Sequence, residues 1–551
     1  MAVPDELDMA DSSRGLPPLP QEDLALLSGL QPHEVRAVAE SKIQAYRVMI
    51  ENINGYIVQL STIQNTTVPL HASLPPEVLM NVFRHILPTC RSDLRLTHVC
   101  KLWRDLIYRT PEFWADMLAA CAVTSRPIDH NTVPSYILRS SPLPYKLTIT
   151  GEYDFLLDMP SLASRMSSLS VHVPRSTNSL YHLAQLLHLH MPLLETMQCW
   201  AYGWNQSWLV DRTHLPPPRG QNFPRLRKLA LHGADLPSRA LAFPYLEDLT
   251  FDDGTYSDSL LPLLVLLENC PQLRMLDMNI RAPDWEADLD HDPVPLPHLQ
   301  ICSLRIHDPS GSWAYDFLER VHVPATAQLK VINWFAGSTA ALNELIPSSP
   351  PASVEVLQAI NAVTIHFQYD RNDRNHKWTL FASGFVPGDP KPHLEMTIHD
   401  PCYTIFGEEG LPSWALSNLA LLFSNSPSLD RLRLRLDSGI AVTADDWCTI
   451  LNAFRSLSSL TVHIDSCRHL LTALRKHPSD WPALRRLSIS CHNGSGVHEG
   501  LLSAIEKRAR EGLGLTYLAF SGSYKKPLSA HRMRRLRELV EEVTEVDELE
   551  L

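Results

Sequence analysis

The chain has 551 residues, 44% of them hydrophobic and 20% charged, and its formal net charge is −13. That length exceeds what one ordinary hydrophobic core fills, so the chain forms either several domains or one array of stacked repeats. The acidic charge balance argues against nucleic acid as the main partner. The longest apolar run, residues 260–267, is too short to span a bilayer, so no membrane partner is expected.

The cysteines and the N-terminal segment indicate the compartment. Ten cysteines are scattered without a CxxC pair, and most lie inside apolar patterns, where cysteine packs as a small hydrophobe. This usage favours reduced thiols. The first residues, MAVPDELDMADSS, are acidic and lack the apolar stretch of a secretory signal. We therefore expect a cytoplasmic or nuclear protein whose residues 1–32, rich in Pro, Asp and Ser, form a disordered leader.

Residues 33–68 are predicted to form a helix with a heptad-like seam. Apolar residues recur at spacings of three and four, which is the pattern of a helix that meets another helix: Ile43, Tyr46, Ile50, Ile53, Ile57 and Leu60. Two interpretations stay open: the helix folds back on its own protein, or two chains pair in a short coiled coil. Gly55 weakens the helix by about 1 kcal/mol.

The following segment concentrates apolar residues within a short stretch. Pro75 and Pro76 suit the first turn of a helix, where amide donors lack partners, and Pro88 ends that helix. A second apolar helix then runs until Pro111. About forty residues rarely build a core alone, and two helices cover each other on one face only. The remaining apolar face therefore indicates an interface.

The motif LPPEVLMNVF, followed by LxLxxVCKxWRDLI and a closing PEFW, resembles the F-box over residues 72–117. Its position after a helix near the N-terminus resembles the large F-box groups of mushroom-forming fungi. The resemblance implies three helices that dock on the Skp-type adaptor of cullin–RING ubiquitin ligases. It also implies a set of residues that form or support the docking surface: Leu74, Pro75, Pro76, Val78, Leu79, Val82, Phe83, Leu94, Leu96, Trp103 and Trp114.

After this segment one phrase recurs, Pro-x-Leu-x-x-Leu-x-φ, where φ is apolar. Apart from one long gap, consecutive copies, counting clear and looser ones together, start about 20 to 33 residues apart, which is typical of leucine-rich repeats. Clear copies are FPRLRKLAL (223–231), FPYLEDLTF (243–251), CPQLRMLDM (270–278), SPSLDRLRL (426–434) and WPALRRLSI (481–489). The predicted fold class is α/β: an N-terminal helical segment and a three-helix F-box, followed by an irregular leucine-rich-repeat solenoid over residues 118–530.

The repeat pattern is interrupted between about residues 335 and 425. The stretches TIHFQ, KWTLF and LEMTI alternate like strands around a charged DRNDRN turn, which favours longer strands or an inserted hairpin. Residues 258–270 and 448–456 are predicted to be helices on the outer arc. Residues 531–551 are predicted to form a capping helix followed by an acidic tail.

The sequence offers few candidates for chemistry. It contains no GxGxxG, GxxxxGK[ST], GxSxG or HExxH motif. His463, Cys467 and His469 would need a fourth ligand to hold zinc. Neither the Cys491–His492 pair nor the HDPCYT segment at 399–404 has a supporting second group. We therefore predict that the chain is not an enzyme and binds no metal or cofactor.

Two functions remain in view. In the first, the chain recruits an unknown substrate protein to a Skp–cullin–RING ubiquitin ligase, with the F-box on the adaptor and the repeats on the target. In the second, it is a leucine-rich-repeat scaffold for a protein or small ligand, with no role in ubiquitin transfer. Only the aromatic segment CWAYGWNQSW (199–208) is a candidate for a ligand-binding loop, and it is more typical of loop packing.

Overall fold

The computed structural model describes residues 18–67, 74–86, 88, 91–120, 123–124, 127–150, 163–174, 189–202, 222–233, 243–255, 260–281, 291–307, 312–334, 346, 354–370, 377–400, 417, 421–423, 429–437, 442–491, 497–522 and 528–546. The chain divides into two compact units: one comprises Met1–Leu87 and Arg91–Phe113, and the other Pro88–Cys90 and Trp114–Leu551.

The first unit is helical. Its elements are α1 (Gln21–Leu27), α2 (Pro32–Thr66), α3 (Pro76–His85), a 3₁₀ helix (Arg91–His98), α4 (Lys101–Tyr108) and the start of α5 (Pro111–Ala120). None of the described helices is both long enough and apolar enough to cross a bilayer.

Helix α1 corrects the prediction of a disordered leader over residues 1–32. Asp23 in α1 is only 5% exposed. It pairs with the Lys42 ammonium at 2.7 Å and accepts a hydrogen bond from the Tyr46 hydroxyl. These contacts with α2 order a segment that composition alone does not favour. Residues 1–17 lie outside the described part of the chain.

The seam of α2 is exposed. All six seam residues have side chains between 36% and 66% exposed, and so do Met49, Tyr56 and Ile63, which recur every seven residues beside the seam. Together they form an apolar face three positions wide per heptad, the width of a helix that packs inside a bundle. All nine side chains are thus at least a third exposed in the described part of the chain, which favours the interpretation that two chains pair here.

We expect the full chain to self-associate through α2. Because aspartate at the seam would bury a charge between helices, Ile50→Asp with Ile57→Asp should convert dimers to monomers in sedimentation velocity. Val48 and Val58 are 47% and 64% exposed but lie off the apolar face, so Val48→Asp with Val58→Asp is the matched control. A wild-type chain that stays monomeric at the highest soluble concentration would contradict this expectation.

The second unit combines strands with helices. Its helices are α6 (Pro127–Arg139), α7 (Leu261–Glu268), α8 (Ser312–Glu319), α9 (Val356–Ala359), α10 (Ala444–Ala453), α11 (Arg468–Lys476), α12 (Val497–Arg510) and α13 (Ala530–Leu539). The predicted helices within 258–270 and 448–456 correspond to α7 and to part of α10.

Nineteen strands occur in the described residues: β1 (Val123–Thr124), β2 (Tyr145–Thr150), β3 (Met166–Pro174), β4 (Thr196–Tyr202), β5 (Lys228–His232), β6 (Asp248–Thr255), β7 (Met275–Arg281), β8 (Val294–Pro295), β9 (Ile301–Ile306), β10 (Val321–His322), β11 (Gln328–Trp334), β12 (Ala362–Asp370), β13 (Lys377–Phe385), β14 (Pro392–Asp400), β15 (Arg431–Leu436), β16 (Ser459–Ile464), β17 (Arg486–Cys491), β18 (Tyr517–Gly522) and β19 (Glu542–Glu545). Seventeen belong to one sheet, and β8 and β10 form a separate pair.

The recurring phrase builds this sheet. Strands β1 to β7 and then β9 and β11 pair in parallel, each with the next in that order. Equivalent leucines meet across the ladder, as Leu229, Leu249 and Leu276 do, and all three are at most 5% exposed. Stacking therefore buries one continuous core. The predicted fold class, helices followed by a parallel-sheet α/β solenoid of the leucine-rich-repeat kind, is confirmed.

The interruption is a three-stranded meander rather than a single hairpin. Strand β12 pairs antiparallel with β13, and β13 pairs antiparallel with β14. Two reversals restore the original direction, so β14 pairs in parallel with β11 and β12 pairs in parallel with β15. The meander thus joins the two halves of the sheet without breaking it. The DRNDRN turn, residues 371–376, lies outside the described residues.

The C-terminal segment corrects the prediction of an acidic tail. In α13, Leu536 is 1% exposed, and Val540 just after the helix is 3% exposed. The chain then continues as β19, in which Glu542 and Val543 pair in parallel with Tyr517 and Leu518 of β18. The free edge of β18 offers backbone partners, and this outweighs the low strand propensity of an acidic stretch.

Arg508 ties two successive repeats together. It lies in α12 and is 1% exposed. Its guanidinium donates to the carbonyl oxygens of Pro478, Trp481 and Leu484 at 3.0, 3.1 and 3.2 Å. Burial, and secondarily the nearby Arg485, lowers the pKa of Arg508 to about 10. The guanidinium thus satisfies backbone acceptors that the preceding turn leaves open.

We expect Arg508→Met to lower the free energy of unfolding by about 3 kcal/mol. Each buried carbonyl left without a donor costs ~1–3 kcal/mol, and removal of a buried charge offsets part of that sum. Urea denaturation measures the change. The control Arg510→Met, whose side chain is 76% exposed, should shift stability by no more than about 0.5 kcal/mol. Equal urea midpoints for Arg508→Met and Arg510→Met would contradict the role of Arg508 as a link between repeats.

Candidate adaptor-docking site and open sheet face

Helix α3 presents two apolar stripes on different sides. Its first turn holds Pro76 and Glu77, and its last turn holds Arg84 and His85, an arrangement that suits the helix dipole. Leu79 and Phe83 are 3% and 1% exposed, whereas Val78 and Val82 are 41% and 48% exposed. Both pairs have a spacing of four residues. The helix therefore buries one stripe and leaves the other in solvent.

The buried stripe rests on α4. The Phe83 ring meets the Trp103 ring edge to face, with centroids 5.2 Å apart, a geometry that favours aromatic pairs. The Cys100 side chain accepts a hydrogen bond from the Trp103 amide at the start of α4. Leu106 and Ile107 complete the inward face of that helix, at 6% and 0% exposure. Phe83 and Trp103 thus fix the orientation of α3.

An ion pair links α3 to the start of α5. The Arg84 Nε lies 3.3 Å from Glu112 Oε1, and both side chains are more than a third exposed. Exposed pairs of this kind contribute ~0–1 kcal/mol. The pair therefore adds little stability, and the packing of Phe83 against Trp103 is the larger effect.

The structure divides the predicted docking residues into three groups. Four are exposed: Pro75, Pro76, Val78 and Val82. Four are partly exposed: Leu74, Leu94, Leu96 and Trp103. Three are buried: Leu79, Phe83 and Trp114. Leu79 and Phe83 can support the surface from inside, but a partner would first meet the exposed four.

Trp114 belongs to the second unit. Its ring packs against Tyr136 with centroids 5.1 Å apart, and the Arg139 guanidinium lies 4.8 Å from its centroid. Both neighbours are in α6. The closing Trp of the PEFW motif is therefore a core residue of this unit.

Two exposed apolar residues in the same segment were not predicted as docking residues. Val99 is 50% exposed and Tyr108 is 41% exposed. On α4, Lys101, Asp105 and Tyr108 share one face at spacings of four and three, opposite the buried residues. That periodicity is the signal in the sequence that would have identified Tyr108.

A row of stacked and hydrogen-bonded side chains lies on the open face of the first sheet half. The Trp200 ring stacks on His172 at 5.7 Å and on His232 at 3.4 Å between centroids. His232 Nδ1 lies 3.1 Å from Asp252 Oδ2, and the Asn279 amide donates to Asp252 Oδ1 at 2.6 Å. These five residues occupy one register across β3 to β7.

Two side chains of this row have shifted pKa values. Burial opposes ionisation of Asp252, but hydrogen bonds from His232 and Asn279 hold its pKa below the usual range. Burial, and then the neighbouring His232, lowers the pKa of His172. Trp200 thus packs between neighbouring repeats. The rest of the aromatic segment, residues 203–208, lies outside the described residues.

The predicted thiol and zinc candidates do not assemble. Among the described residues, no three His, Cys, Asp or Glu side chains are placed to hold a metal ion. Cys467 and Cys491 are both buried free thiols, and the hydrogen bond between them, together with burial, raises the pKa of Cys467. Burial raises the pKa of Cys199 and Cys302 to about 12. His492 and residues 401–404 lie outside the described part.

Comparisons with known proteins agree with part of this description. An F-box-like family model matches residues 71–126. No curated protein matches the chain. Among solved structures, the chain is similar to a leucine-rich-repeat protein of Leptospira interrogans, at 11% identity and a TM-score of 0.24, over 74% of this chain and 96% of that one. So low a score adds nothing to the fold established by the strand pairing.

F-box domains generally bind Skp-type adaptors. The match over residues 71–126 includes α3, α4 and the exposed stripe of Val78 and Val82. The chain carries an F-box-like domain at residues 71–126, followed by a parallel-sheet solenoid of the leucine-rich-repeat kind.

Proposed function

We propose that the chain is the substrate-recruiting subunit of a Skp–cullin–RING ubiquitin ligase. The observation that carries this proposal is the exposed stripe of α3. Val78 and Val82 lie in solvent on a helix whose other apolar stripe, Leu79 and Phe83, is buried. Apolar residues presented together in this way usually mark an interface, and here they lie in an F-box-like segment.

The docking residues take different roles in this proposal. Pro75, Pro76, Val78 and Val82 would contact the adaptor directly. Leu74, Leu94, Leu96 and Trp103 are partly exposed and would complete the contact, together with Val99 and Tyr108. Leu79 and Phe83 would hold the surface in shape, whereas Trp114 packs in the core of the second unit. A few aliphatic and aromatic anchors in a dry patch account for most of the affinity in interfaces of this kind.

The proposed mechanism is proximity. The solenoid would hold a target protein while the adaptor connects the chain to the cullin–RING subunits, so that the target meets a ubiquitin-loaded enzyme at high effective concentration. The covalent chemistry belongs to those other subunits. On this account the chain is not an enzyme, needs no cofactor, binds neither nucleic acid nor membrane, and works in the cytoplasm or the nucleus.

The alternative is a leucine-rich-repeat scaffold with no role in ubiquitin transfer. The scaffold would bind a protein or small ligand on the open face of its sheet. The F-box-like helices would then have no adaptor to bind. The two functions differ in one property, which is binding of the adaptor.

Co-purification separates them. The full chain, expressed together with a Skp-type adaptor, should elute as one complex with a one-to-one ratio of the two proteins. A chain that elutes alone, monodisperse and folded, would contradict the recruiting role and leave the scaffold function.

A further inference from the structure

Strand β15 carries a row of arginines on the open face of the sheet. Its residues alternate between exposed and buried along the whole strand. Leu432, Leu434 and Leu436 are at most 2% exposed. Arg431, Arg433 and Arg435 point the other way; we refer to these three as the arginine row. The side chains of Arg431 and Arg435 are 51% and 48% exposed.

The arginine row is unfavourable for the sheet itself. Alternate residues of a strand lie about 6.7 Å apart, so the three like charges repel one another along β15. The whole chain carries a formal net charge of −13, so the row is a local exception to an acidic protein. Packing of β15 needs only the three leucines.

Small hydroxyl side chains flank the middle of the row. Arg433 pairs across the sheet with Thr364 on one side and Thr461 on the other. Ser383 and Ser488 occupy the next positions in the same register. These short side chains leave room above the guanidinium and add hydroxyl groups that can donate hydrogen bonds.

Further basic side chains flank the ends of the row. Arg486 shares the register of Arg431, two strands away across Ser459, a separation of about 10 Å. His366 and His463 pair directly with Arg435 on either side. Cationic and hydrogen-bonding groups thus extend over neighbouring strands.

The acidic neighbours lie at the strand ends. Asp430 is 3.4 Å from Arg431, and Asp437 is 3.9 Å from Arg435 and 3.3 Å from His366. Asp465 follows β16 at the same end as Asp437. In the part of the chain that the structure describes, no ion pair involves Arg433. The centre of the row is therefore where an added anion would gain most.

We propose that the arginine row binds an extended acidic peptide whose carboxylates occur at every second residue. An extended peptide repeats on one side every two residues, at the same spacing as the arginines. Guanidinium groups bind carboxylates through two parallel hydrogen bonds. The inference rests on the proposed recruiting function, because it names the chemical class of the target.

Fluorescence anisotropy with the full chain tests this proposal. The probe is a fluorescein-labelled octapeptide, Gly-Ser-Glu-Ser-Glu-Ser-Glu-Gly, and the same peptide with Gln for Glu is the neutral comparison. The Glu peptide should bind at least tenfold more tightly, and added salt should weaken it. The triple variant Arg431→Gln, Arg433→Gln and Arg435→Gln should lose at least tenfold in affinity.

The matched control removes three arginines elsewhere. Arg36, Arg227 and Arg510 have side chains 83%, 59% and 76% exposed, and their replacement by Gln changes the net charge equally. This control should bind the Glu peptide as the wild type does. Equal losses in the two triple variants, or equal binding of the Glu and Gln peptides, would overturn the proposal.

Two further probes test the class of ligand. A phosphoserine peptide that binds where the Glu peptide does not would overturn the assignment to carboxylates. A single-stranded oligonucleotide that displaces the Glu peptide at lower concentration would assign the row to nucleic acid instead. Adaptor capture by the same variants is measured separately. Peptide binding without adaptor capture would contradict the proposed recruiting role alone. Adaptor capture without peptide binding would contradict this inference alone.

Discussion

Val78→Asp combined with Val82→Asp is expected to abolish binding of the Skp-type adaptor while the chain stays folded. Both valines are exposed on α3, so aspartate there meets water in the free chain. In the complex it would place charges in a dry contact. Loss of one anchor costs ~2 kcal/mol and each ~1.4 kcal/mol is tenfold, so the affinity should fall at least about 100-fold.

The control places the same change at exposed apolar residues outside the F-box-like domain. Leu138 in α6 and Leu261 in α7 are 63% and 41% exposed. Leu138→Asp with Leu261→Asp should leave adaptor affinity within about twofold of wild type, since neither residue lies in the proposed docking surface. Biolayer interferometry on immobilised adaptor compares the three chains. If the variant Val78→Asp with Val82→Asp bound the adaptor with wild-type affinity, α3 would not be part of the contact.

Phe83→Ala is expected to destabilise the F-box-like domain strongly. Phe83 is 1% exposed and packs on Trp103, and truncation of a buried phenylalanine costs ~3–5 kcal/mol. A domain of this small size at the low end of the usual ~5–15 kcal/mol range of stability would then be unfolded in a large fraction of molecules at physiological temperature. Adaptor affinity should fall as well, because only the folded fraction can bind.

Pulse proteolysis across a urea series measures this effect, because it reports the fraction of molecules in which the domain is open. The neighbouring Val82→Ala is the control. Val82 is 48% exposed, so Val82→Ala should lower the free energy of unfolding by no more than about 0.5 kcal/mol. A larger shift for Val82→Ala than for Phe83→Ala would mean that α3 packs with the opposite face inward.

Helix α3 marks what the sequence can and cannot predict in the candidate site. The spacing of Val78, Leu79, Val82 and Phe83 predicts a helix with an apolar surface too broad to bury against one neighbour. It cannot decide which pair is inside, since both pairs are apolar and both recur after four residues. The position of Trp103 decides it, and that contact arises only in the folded domain.

The fold, too, could be predicted from the sequence only in part. Leucines at spacings of three and then two predict turns and strands that stack, and the parallel ladder of Leu229, Leu249 and Leu276 has that form. The meander was harder to predict, since alternation identifies strands but does not identify their neighbours. Helix α1 was missed because its order depends on Asp23 meeting Lys42 and Tyr46, contacts that join distant positions in the sequence.

The arginine row illustrates a further limit. The repeat pattern constrains residues that face the core, such as Leu432 and Leu434, and leaves the alternating positions free. RLRLRL is plain in the sequence, but alternation alone does not show that Thr364, Thr461 and Ser488 share its register. The neighbours that could make the row a binding surface come from strands up to about 120 residues apart along the chain.

Hydrogen–deuterium exchange of the full chain, with and without the Skp-type adaptor, tests the central claim most directly. The account predicts slower exchange on adaptor binding in peptides that cover residues 74–86 and 94–108, and unchanged exchange across β15 to β18. Protection confined to the sheet, or no protection in α3 despite complex formation, would contradict docking through the F-box-like domain.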